Sequence, residues 1–369
     1  MKIDSIEVFH AAHPMHEAWS TAYGSDEAVH GLLVRMRSGE HDGWSESNPL
    51  EHPTYTPEYA AGAFNTVTKV MAPLIVGREM ETAGDVLAAL AEFKGNNFAK
   101  ASLEMAWWNL QSSITGNPLH ALLGGSLRDV PVGEALGITT SLDELLDRIQ
   151  QAFDAGYTRI KLKVRPDRDI EMLNEVRRAF PKGQFHIDGN CGYSIDDMPM
   201  FEKLDRLDLV MIEQPLGYGD LVEHARLQRA INTPICLDES CVSVPATRAA
   251  IELGSCKIIN IKPPRVGGLA NSIRILDVCR KGNMPCWVGS MLETSIGTAT
   301  NLAFASLPGI NLPCDAFPSR RFYAQEITER ELGLSGPGTM RPLDLPSSAH
   351  VPLASRLSAR VVSHALLAA

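Results

Sequence analysis

Short apolar runs alternate with amphipathic segments at a nearly constant interval from about Pro131 onwards. The first unit shows the pattern. An apolar run at 132–138 predicts a strand, and Ser141 with Glu144 three residues later forms a capping box before a helix. That helix ends at Gly156, and the next apolar run follows directly. Strands that alternate with helices in this way predict β–α units and a parallel sheet.

Eight apolar runs of strand length occur in this part of the chain, which is the number of strands that closes a (β/α)8 barrel. The predicted strands are 132–138, 159–164, 185–188, 209–213, 235–238, 258–262, 285–288 and 310–312. The alternation stops after Arg320, and a tail rich in Pro and Ser follows at 336–348. We expect this tail to return to the N-terminal part of the chain.

The first third of the chain has a different, α+β pattern. The predicted elements are strands at 5–10 and 29–37, a long loop at 11–26 between them, and helices at 59–75, 83–91 and 99–110. The whole sequence therefore predicts an α/β protein with a modified, TIM-like (β/α)8-type barrel at 126–320. An α+β capping domain at 1–125 precedes the barrel, and a C-terminal segment at 321–369 completes that domain.

Ionisable residues end five consecutive predicted strands. They are Lys163, Asp188, Glu213, Asp238 and Lys262, and the intervals between them are 25, 25, 25 and 24 residues. One charge at a strand end is uninformative because strands end in polar loops, but five in phase indicate a common position. In a barrel, the carboxyl ends of the strands form the rim that carries catalytic residues. We therefore expect these five side chains to meet at one rim.

The three carboxylates among them, Asp188, Glu213 and Asp238, predict a metal site. Carboxylates brought together repel one another and take up protons unless a cation neutralises them. Hard oxygen ligands without a neighbouring His or Cys favour Mg2+, or Mn2+ in its place, over Zn2+. The alternative is a surface cluster of carboxylates paired with Arg or Lys.

Three lysines predict proton-transfer chemistry. Lys161 and Lys163 are two residues apart, so both side chains point to the same side of a strand. Their mutual repulsion, burial and a nearby metal would lower the pKa of Lys163 and allow it to act as a base. Lys262 would face the substrate from the other side, while the metal stabilises the enediolate formed by removal of a proton α to a carboxylate. A solvated edge strand is the alternative for the Lys161 and Lys163 pair.

Further polar residues follow the predicted strands. Asn190 shares a face with Asp188 and is a candidate partner of a metal-bound water or a ligand, and Glu239 could hydrogen-bond a catalytic lysine. The segment after the seventh predicted strand adds Ser290, Met291 and Glu293 as candidates for contacts with substrate or with the groups around it. A purely structural role is the alternative for each. A zinc site formed by His10, His13 and His16 is the less favoured interpretation of the imidazole-rich segment at 11–26.

These residues resemble motifs of the enolase superfamily, in particular its muconate lactonizing enzyme subgroup. The matching motifs are KLK at 161–163, DGN at 188–190, MIEQP at 211–215, LDES at 237–240 and NIKP at 260–263. Within that subgroup the sequence is most similar to the o-succinylbenzoate synthase and N-succinylamino acid racemase family. That similarity depends on GWSE at 43–46, LLGG at 122–125, HARLQ at 224–228, TPICLDES at 233–240, RVGG at 265–268 and MLET at 291–294.

The resemblance implies a role for each of the residues found above. Lys163 would be the general base and Lys161 its electrostatic partner. Lys262 would be the acid or base on the opposite face in racemisation, or a cation over the intermediate in the synthase reaction. The segment 11–26 would correspond to the family's mobile capping loop. The implied Mg2+ ligands are Asp188, Glu213 and Asp238.

Several positions depart from the family's usual residues. Gly189, Cys191, Pro264 and Ser290 stand where relatives usually have Ala, Ser, Gly and Gly, and 314–318 departs from a Gly-Asp-Ile pattern. We therefore expect a Mg2+-dependent lyase or isomerase. It would share with the family the removal of a proton α to a carboxylate, while the sequence leaves its substrate undetermined. A dipeptide epimerase and a muconate-type cycloisomerase are the alternatives within the superfamily. Outside it, the alternatives are a Schiff-base aldolase and a barrel without enzymatic activity.

Composition limits the class of partner. Lys plus Arg number 34 against 44 Asp plus Glu, so the formal net charge is −10, which argues against a nucleic-acid binder. The seven cysteines show no CxxC spacing, which favours a reduced, cytoplasmic protein, and no segment predicts a signal peptide or a membrane span. We expect a homo-oligomer that takes a small carboxylate substrate and binds neither nucleic acid nor membranes.

Overall fold

The computed structural model describes residues 1–166 and 169–369. The strands are β1 (Ser5–Thr21), β2 (Gly24–Ser38), β3 (His41–Ser47), β4 (Val130–Pro131), β5 (Glu134–Leu136), β6 (Arg159–Lys163), β7 (Gln184–Asp188), β8 (Met211–Glu213), β9 (Ile235–Leu237), β10 (Ile258–Ile261), β11 (Cys286–Val288), β12 (Thr339–Met340) and β13 (Val361–Ala368). The α-helices are α1 (Ala60–Thr66), α2 (Ala83–Ala89), α3 (Asn97–Thr115), α4 (Leu119–Leu122), α5 (Leu142–Asp154), α6 (Asp169–Ala179), α7 (Met198–Leu204), α8 (Val222–Ala230), α9 (Val244–Leu253), α10 (Leu269–Lys281), α11 (Ser295–Ala305) and α12 (Ala354–Ser358).

Parallel strands from the second part of the chain form one curled sheet, in the order β11-β10-β9-β8-β7-β6-β5. Helices alternate with these strands along the chain, so the predicted modified barrel is confirmed. The apolar residues of the strands and helices form the larger of the two main hydrophobic cores. No helix among the described residues has the length and apolar composition needed to cross a membrane.

The prediction of an eighth strand at 310–312 is wrong. Pro313 directly after it has no N–H to donate to a strand ladder. The chain instead forms a single parallel bridge between Cys314 and Val132, and the backbone N–H of Asp315 donates to the last carbonyl of β11 at 2.8 Å. The sheet is therefore closed by an extended segment a few residues later than predicted.

A second sheet, in the order β13-β1-β2-β3, carries the capping part of the molecule. The predicted long loop at 11–26 is wrong, because β1 continues to Thr21 and β2 begins at Gly24. The two strands pair as a long antiparallel hairpin, with an irregularity between Pro14 and Trp19 that conceals the period-two pattern in the sequence. β13 pairs with β1, so the C-terminal tail returns to this sheet as expected.

Glu46 on β3 joins the capping sheet to the barrel. Its buried carboxylate accepts hydrogen bonds from the backbone N–H groups of Thr294 and Gly297, both at 2.9 Å, at the start of α11. Asn48 donates to Glu46 at 2.9 Å and also to the carbonyl of Met291 at 3.3 Å. Burial raises the pKa of Glu46 to about 7, although these donors act against the increase. The capping sheet thereby holds the segment that precedes α11.

Replacing Glu46 by Ala is expected to lower the free energy of unfolding by about 2–4 kcal/mol, because several buried donors lose their acceptor. Denaturant unfolding of the purified variant measures the effect. Glu40→Ala is the control, since Glu40 is exposed in the turn between β2 and β3, and the free energy of unfolding of this variant should stay within about 0.5 kcal/mol of the parent value. Equal stability of the two variants would contradict the structural role of Glu46.

Three histidines of β1 have separate surroundings. His10 is hydrogen bonded through its Nε2 to Nδ1 of His30 at 3.1 Å, His13 packs against the ring of Tyr323, and His16 is exposed. Within the described residues, no three His, Cys, Asp or Glu side chains are arranged so that they could hold a metal ion. The structure therefore gives the zinc hypothesis no support. Burial, followed by repulsion from Arg360, lowers the pKa of His13 to about 3.

This lowered pKa makes the stability of the fold sensitive to acid. The unfolded chain takes up a proton at His13 near pH 6.5, whereas the folded chain does so only near pH 3. The stabilisation is complete above the unfolded pKa and is lost as the pH falls towards 3. Between pH 7 and 5, the parent should lose about 2 kcal/mol more stability than His13→Gln. Urea titrations at both pH values measure the difference, with His41→Gln at an exposed position as the control.

Candidate active site

The five charged residues predicted at the strand ends lie together at the carboxyl rim of the curled sheet. Lys163, Asp188 and Glu213 are the last residues of β6, β7 and β8, and the strand register pairs Lys163 with Asp188 and Asp188 with Glu213. Asp238 and Lys262 directly follow β9 and β10. The three carboxylates are fully buried, and the lysines are nearly so. The in-phase spacing thus corresponds to a shared location in space.

Lys161 lies between two of the carboxylates. Its Nζ is 2.8 Å from Oδ2 of Asp188 and 2.7 Å from Oε2 of Glu213, with Oδ2 of Asp315 at 3.5 Å. Burial favours the neutral amine, but the attraction of Asp188 and Glu213 prevails and raises the pKa of Lys161. Lys161 is therefore a fixed cation in this site.

Lys163 projects from the same face of β6 as Lys161 and lies two residues further along the strand. Its Nζ is 2.7 Å from Oδ2 of Asp188, and it donates to Oδ1 of Asn190 at 2.6 Å. Asn190 in turn donates through Nδ2 to Oε1 of Glu239 at 3.1 Å. Burial and the neighbouring charge of Lys161 lower the pKa of Lys163, while Asp188 opposes this shift. Burial and repulsion by Asp188 raise the pKa of Glu239 to about 7.

Lys262 approaches the centre from the opposite side of the rim. Its Nζ is 2.9 Å from Oδ2 of Asp238 and 2.9 Å from Oη of Tyr55, to which it donates. Tyr55 also donates to Asp238, and Arg265 pairs with the other oxygen of that carboxylate. Burial acts against the charged amine, but Tyr55 and the carboxylates of Glu213 and Glu239 raise the pKa of Lys262 overall.

The donor set at the rim fits a hard divalent cation. Asp188, Glu213 and Asp238 present buried oxygen atoms on neighbouring strands, and the ammonium of Lys161 already bridges two of them as a monovalent cation. As they stand, these side chains face lysines and an arginine, and among the described residues no such group is arranged to hold a metal. Asp188, Glu213 and Asp238 are the residues that would hold the ion.

A cavity of about 40 Å³ lies between the rim and the capping sheet. Lys161, Lys163, Asn190 and Lys262 line its barrel side. Its other walls are formed by Trp19, Tyr23, Asp26, Leu50, Tyr55, Ala135, Ser290, Met291, Leu292, Asp315 and Phe317. The cavity lining therefore combines amine and amide groups with a largely aromatic and aliphatic remainder that includes the carboxylates of Asp26 and Asp315.

The segment after β11 contributes two of its three candidate residues to this cavity. Ser290 and Met291 line it, and Sδ of Met291 is 3.8 Å from Nζ of Lys262. Glu293 instead accepts hydrogen bonds from Oγ of Ser290 at 2.5 Å and from N of Met291 at 2.8 Å. Glu293 therefore shapes the segment, whereas Ser290 and Met291 face the cavity.

Several residues of the site have no role in the sequence-based predictions. His186 and Asn260 hydrogen-bond Glu213, both at 2.7 Å, and each lies two residues before a predicted site residue, so the strand alternation contains a signal for them. Arg265 lies in a quoted motif but had no assigned function. Tyr55 belongs to a segment of the capping domain far from the lysines in the chain, and only the tertiary structure brings it to Lys262.

Comparison with known proteins agrees with this architecture. Residues 4–124 match the family model for the mandelate racemase / muconate lactonizing enzyme N-terminal domain. Residues 144–341 match the model described as enolase C-terminal domain-like. A solved structure of an enolase-superfamily member from Listeria innocua has a TM-score of 0.94 and 30% identity, and it covers 100% of this chain and 99% of that chain.

Two relatives of named activity match most of the chain. An N-succinylamino acid racemase of Thermus thermophilus is 39% identical over 332 residues, which are 90% of each chain. An o-succinylbenzoate synthase of Bacillus subtilis is 38% identical over 333 residues, again 90% of each chain. With both domain models matched and the lysines and carboxylates gathered at the rim, the chain belongs to the enolase superfamily, in its muconate lactonizing enzyme subgroup.

Proposed function

We propose that this protein uses Mg2+ to abstract a proton α to a carboxylate, as an N-succinylamino acid racemase, an o-succinylbenzoate synthase, or both. The observation that carries the proposal is the pair of amines on opposite sides of one cavity. Lys163 at the end of β6 and Lys262 after β10 both line that cavity. An α carbon placed between them has one amine on each face.

The two amines differ in the direction of their pKa shifts. The pKa of Lys163 is lowered, which favours the neutral form that a base requires, whereas the pKa of Lys262 is raised, which keeps it a cation. Lys163 would take the α proton from one face. Lys262 would return a proton on the other face in racemisation, or remain as a cation beside the developing negative charge in a dehydration.

The charges at the rim also favour an anionic substrate. Among the described residues that meet there, five carboxylates face five cations, so the cluster is formally neutral. They are Asp188, Glu213, Asp238, Glu239 and Asp315, and Lys161, Lys163, Lys262, Arg159 and Arg265. When bound to Asp188, Glu213 and Asp238, a divalent cation would supply electrostatic stabilisation for the negative charge that develops on the substrate carboxylate. The net positive charge that the cation would add to the cluster favours the binding of a small carboxylate substrate.

The relatives support both reactions equally. One bears the name N-succinylamino acid racemase and the other o-succinylbenzoate synthase, at nearly the same identity. Both names are compatible with one shared half-reaction, the loss of a proton next to a carboxylate. Mn2+ could replace Mg2+ because both ions prefer oxygen ligands.

The test is exchange of the α proton with solvent deuterium for each enantiomer of several N-succinylamino acids, with Mg2+, together with an o-succinylbenzoate synthase assay. We expect the parent to exchange both enantiomers, and Lys163→Ala and Lys262→Ala each to lose about 10²–10⁴-fold in racemisation. Lys262→Ala should still exchange the enantiomer that presents its proton to Lys163. Removal of Mg2+ by a chelator should abolish exchange.

Lys182→Ala is the matched control, because Lys182 is exposed, and it should retain the parent rate. Absence of both exchange and synthase turnover in the parent would overturn the proposal. Dipeptides and muconate derivatives in the same panel test the epimerase and the cycloisomerase. Trapping of a lysine adduct by borohydride with a carbonyl substrate would instead indicate an aldolase.

A further inference from the structure

The capping hairpin places one carboxylate in the wall of the active-site cavity. Asp26 lies at the beginning of β2, directly opposite Trp19 on β1 in the strand register, and both residues line the cavity. Opposite residues in an antiparallel pair project from the same side of the sheet, so Asp26 and Trp19 form one surface. Lys163 and Lys262 line the same cavity as this surface.

Asp26 differs from the other acidic group in that wall. Asp315 is paired with Arg159 at 2.8 Å and has Lys161 at 3.5 Å. In the described part of the chain, the Asp26 carboxylate has neither a hydrogen-bond donor nor an ion-pair partner. Partial burial and the nearby carboxylate of Glu51 raise the pKa of Asp26, and the opposing effects of His52 and His30 do not cancel this increase.

A substrate that covers Asp26 must either neutralise it or leave a carboxylate buried without a partner. Burying an unpaired charge is costly, whereas a cation or a strong donor at that point would form a charge-assisted contact. Trp19 and Tyr23 line the same cavity, and Trp19 is opposite Asp26 in the strand register. Aromatic faces next to a carboxylate are favourable surroundings for an ammonium or a guanidinium group.

We infer that Asp26 selects substrates with a cationic end, namely N-acyl derivatives of basic amino acids. The α-carboxylate would lie at the rim beside Lys163 and Lys262, and the basic side chain would extend towards Asp26, Trp19 and Tyr23. The same carboxylate disfavours substrates that present a second carboxylate to the hairpin. This inference rests on the proposed proton abstraction and specifies the substrate class of that site.

The test compares two substrates that have nearly the same shape and differ in charge. Exchange of the α proton with solvent deuterium is measured for N-succinylarginine and N-succinylcitrulline, and repeated with the N-acetyl analogues to separate the acyl group from the side chain. We expect kcat/KM of the parent to be at least 20-fold higher for the arginine derivative with either acyl group. Asp26→Asn should reduce this ratio at least tenfold, and Asp26→Glu should keep most of it.

Glu27→Gln is the matched control, because Glu27 is the next residue of β2, is exposed and does not line the cavity. The control should retain the preference for arginine. Equal kcat/KM for the two substrates in the parent, or an unchanged ratio in Asp26→Asn, would overturn the inference while α-proton exchange itself upholds the proposed function. Absence of exchange with every substrate, including neutral N-succinylamino acids, would overturn both.

Discussion

The pairing of buried charges at the barrel rim is the constraint on which the rest of this structure depends. Five carboxylates and five cations meet at this buried rim, and removing one partner of a buried ion pair there would cost several kcal/mol. The partners of these ion pairs must therefore be held close to one another, and the strand register does this for Lys163, Asp188 and Glu213. The short parallel strands β6 to β10 provide this, since each contributes or directly precedes a charged residue.

The capping domain is part of the same electrostatic arrangement. Tyr55 hydrogen-bonds Asp238 and accepts from Lys262, and Glu46 holds the start of α11. A second buried acid, Glu104 on α3, accepts hydrogen bonds from the backbone N–H groups of Leu269 and Ala270, both at 2.8 Å, at the start of α10. Acids of the capping domain thus bind the amino ends of two barrel helices, where the helix dipole favours negative charge. Packing of the two domains therefore fixes the side of the cavity that the capping domain forms.

In the proposed function, one set of residues carries out the proton transfer and another set selects the substrate. The rim carries the lysines and carboxylates, and relatives named as a racemase and as a synthase are 39% and 38% identical to this chain over 90% of its length. The hairpin of β1 and β2 and the segment after β11 contribute much of the remaining cavity lining. Under the proposed function, we expect a change in this lining to alter which substrate binds more than it alters the proton transfer.

The sequence by itself determined the parallel α/β architecture and the charged rim. Alternating apolar and amphipathic segments report local structure, and a constant interval of about 25 residues places Lys163, Asp188, Glu213, Asp238 and Lys262 at equivalent strand ends. Only the tertiary structure decided that 11–26 is a hairpin, that the sheet closes at Cys314, that Tyr55 contacts Lys262, and that Asp26 lines the same cavity as the lysines. Those features depend on contacts between residues distant in the chain, and local hydrophobic periodicity contains no information about such contacts.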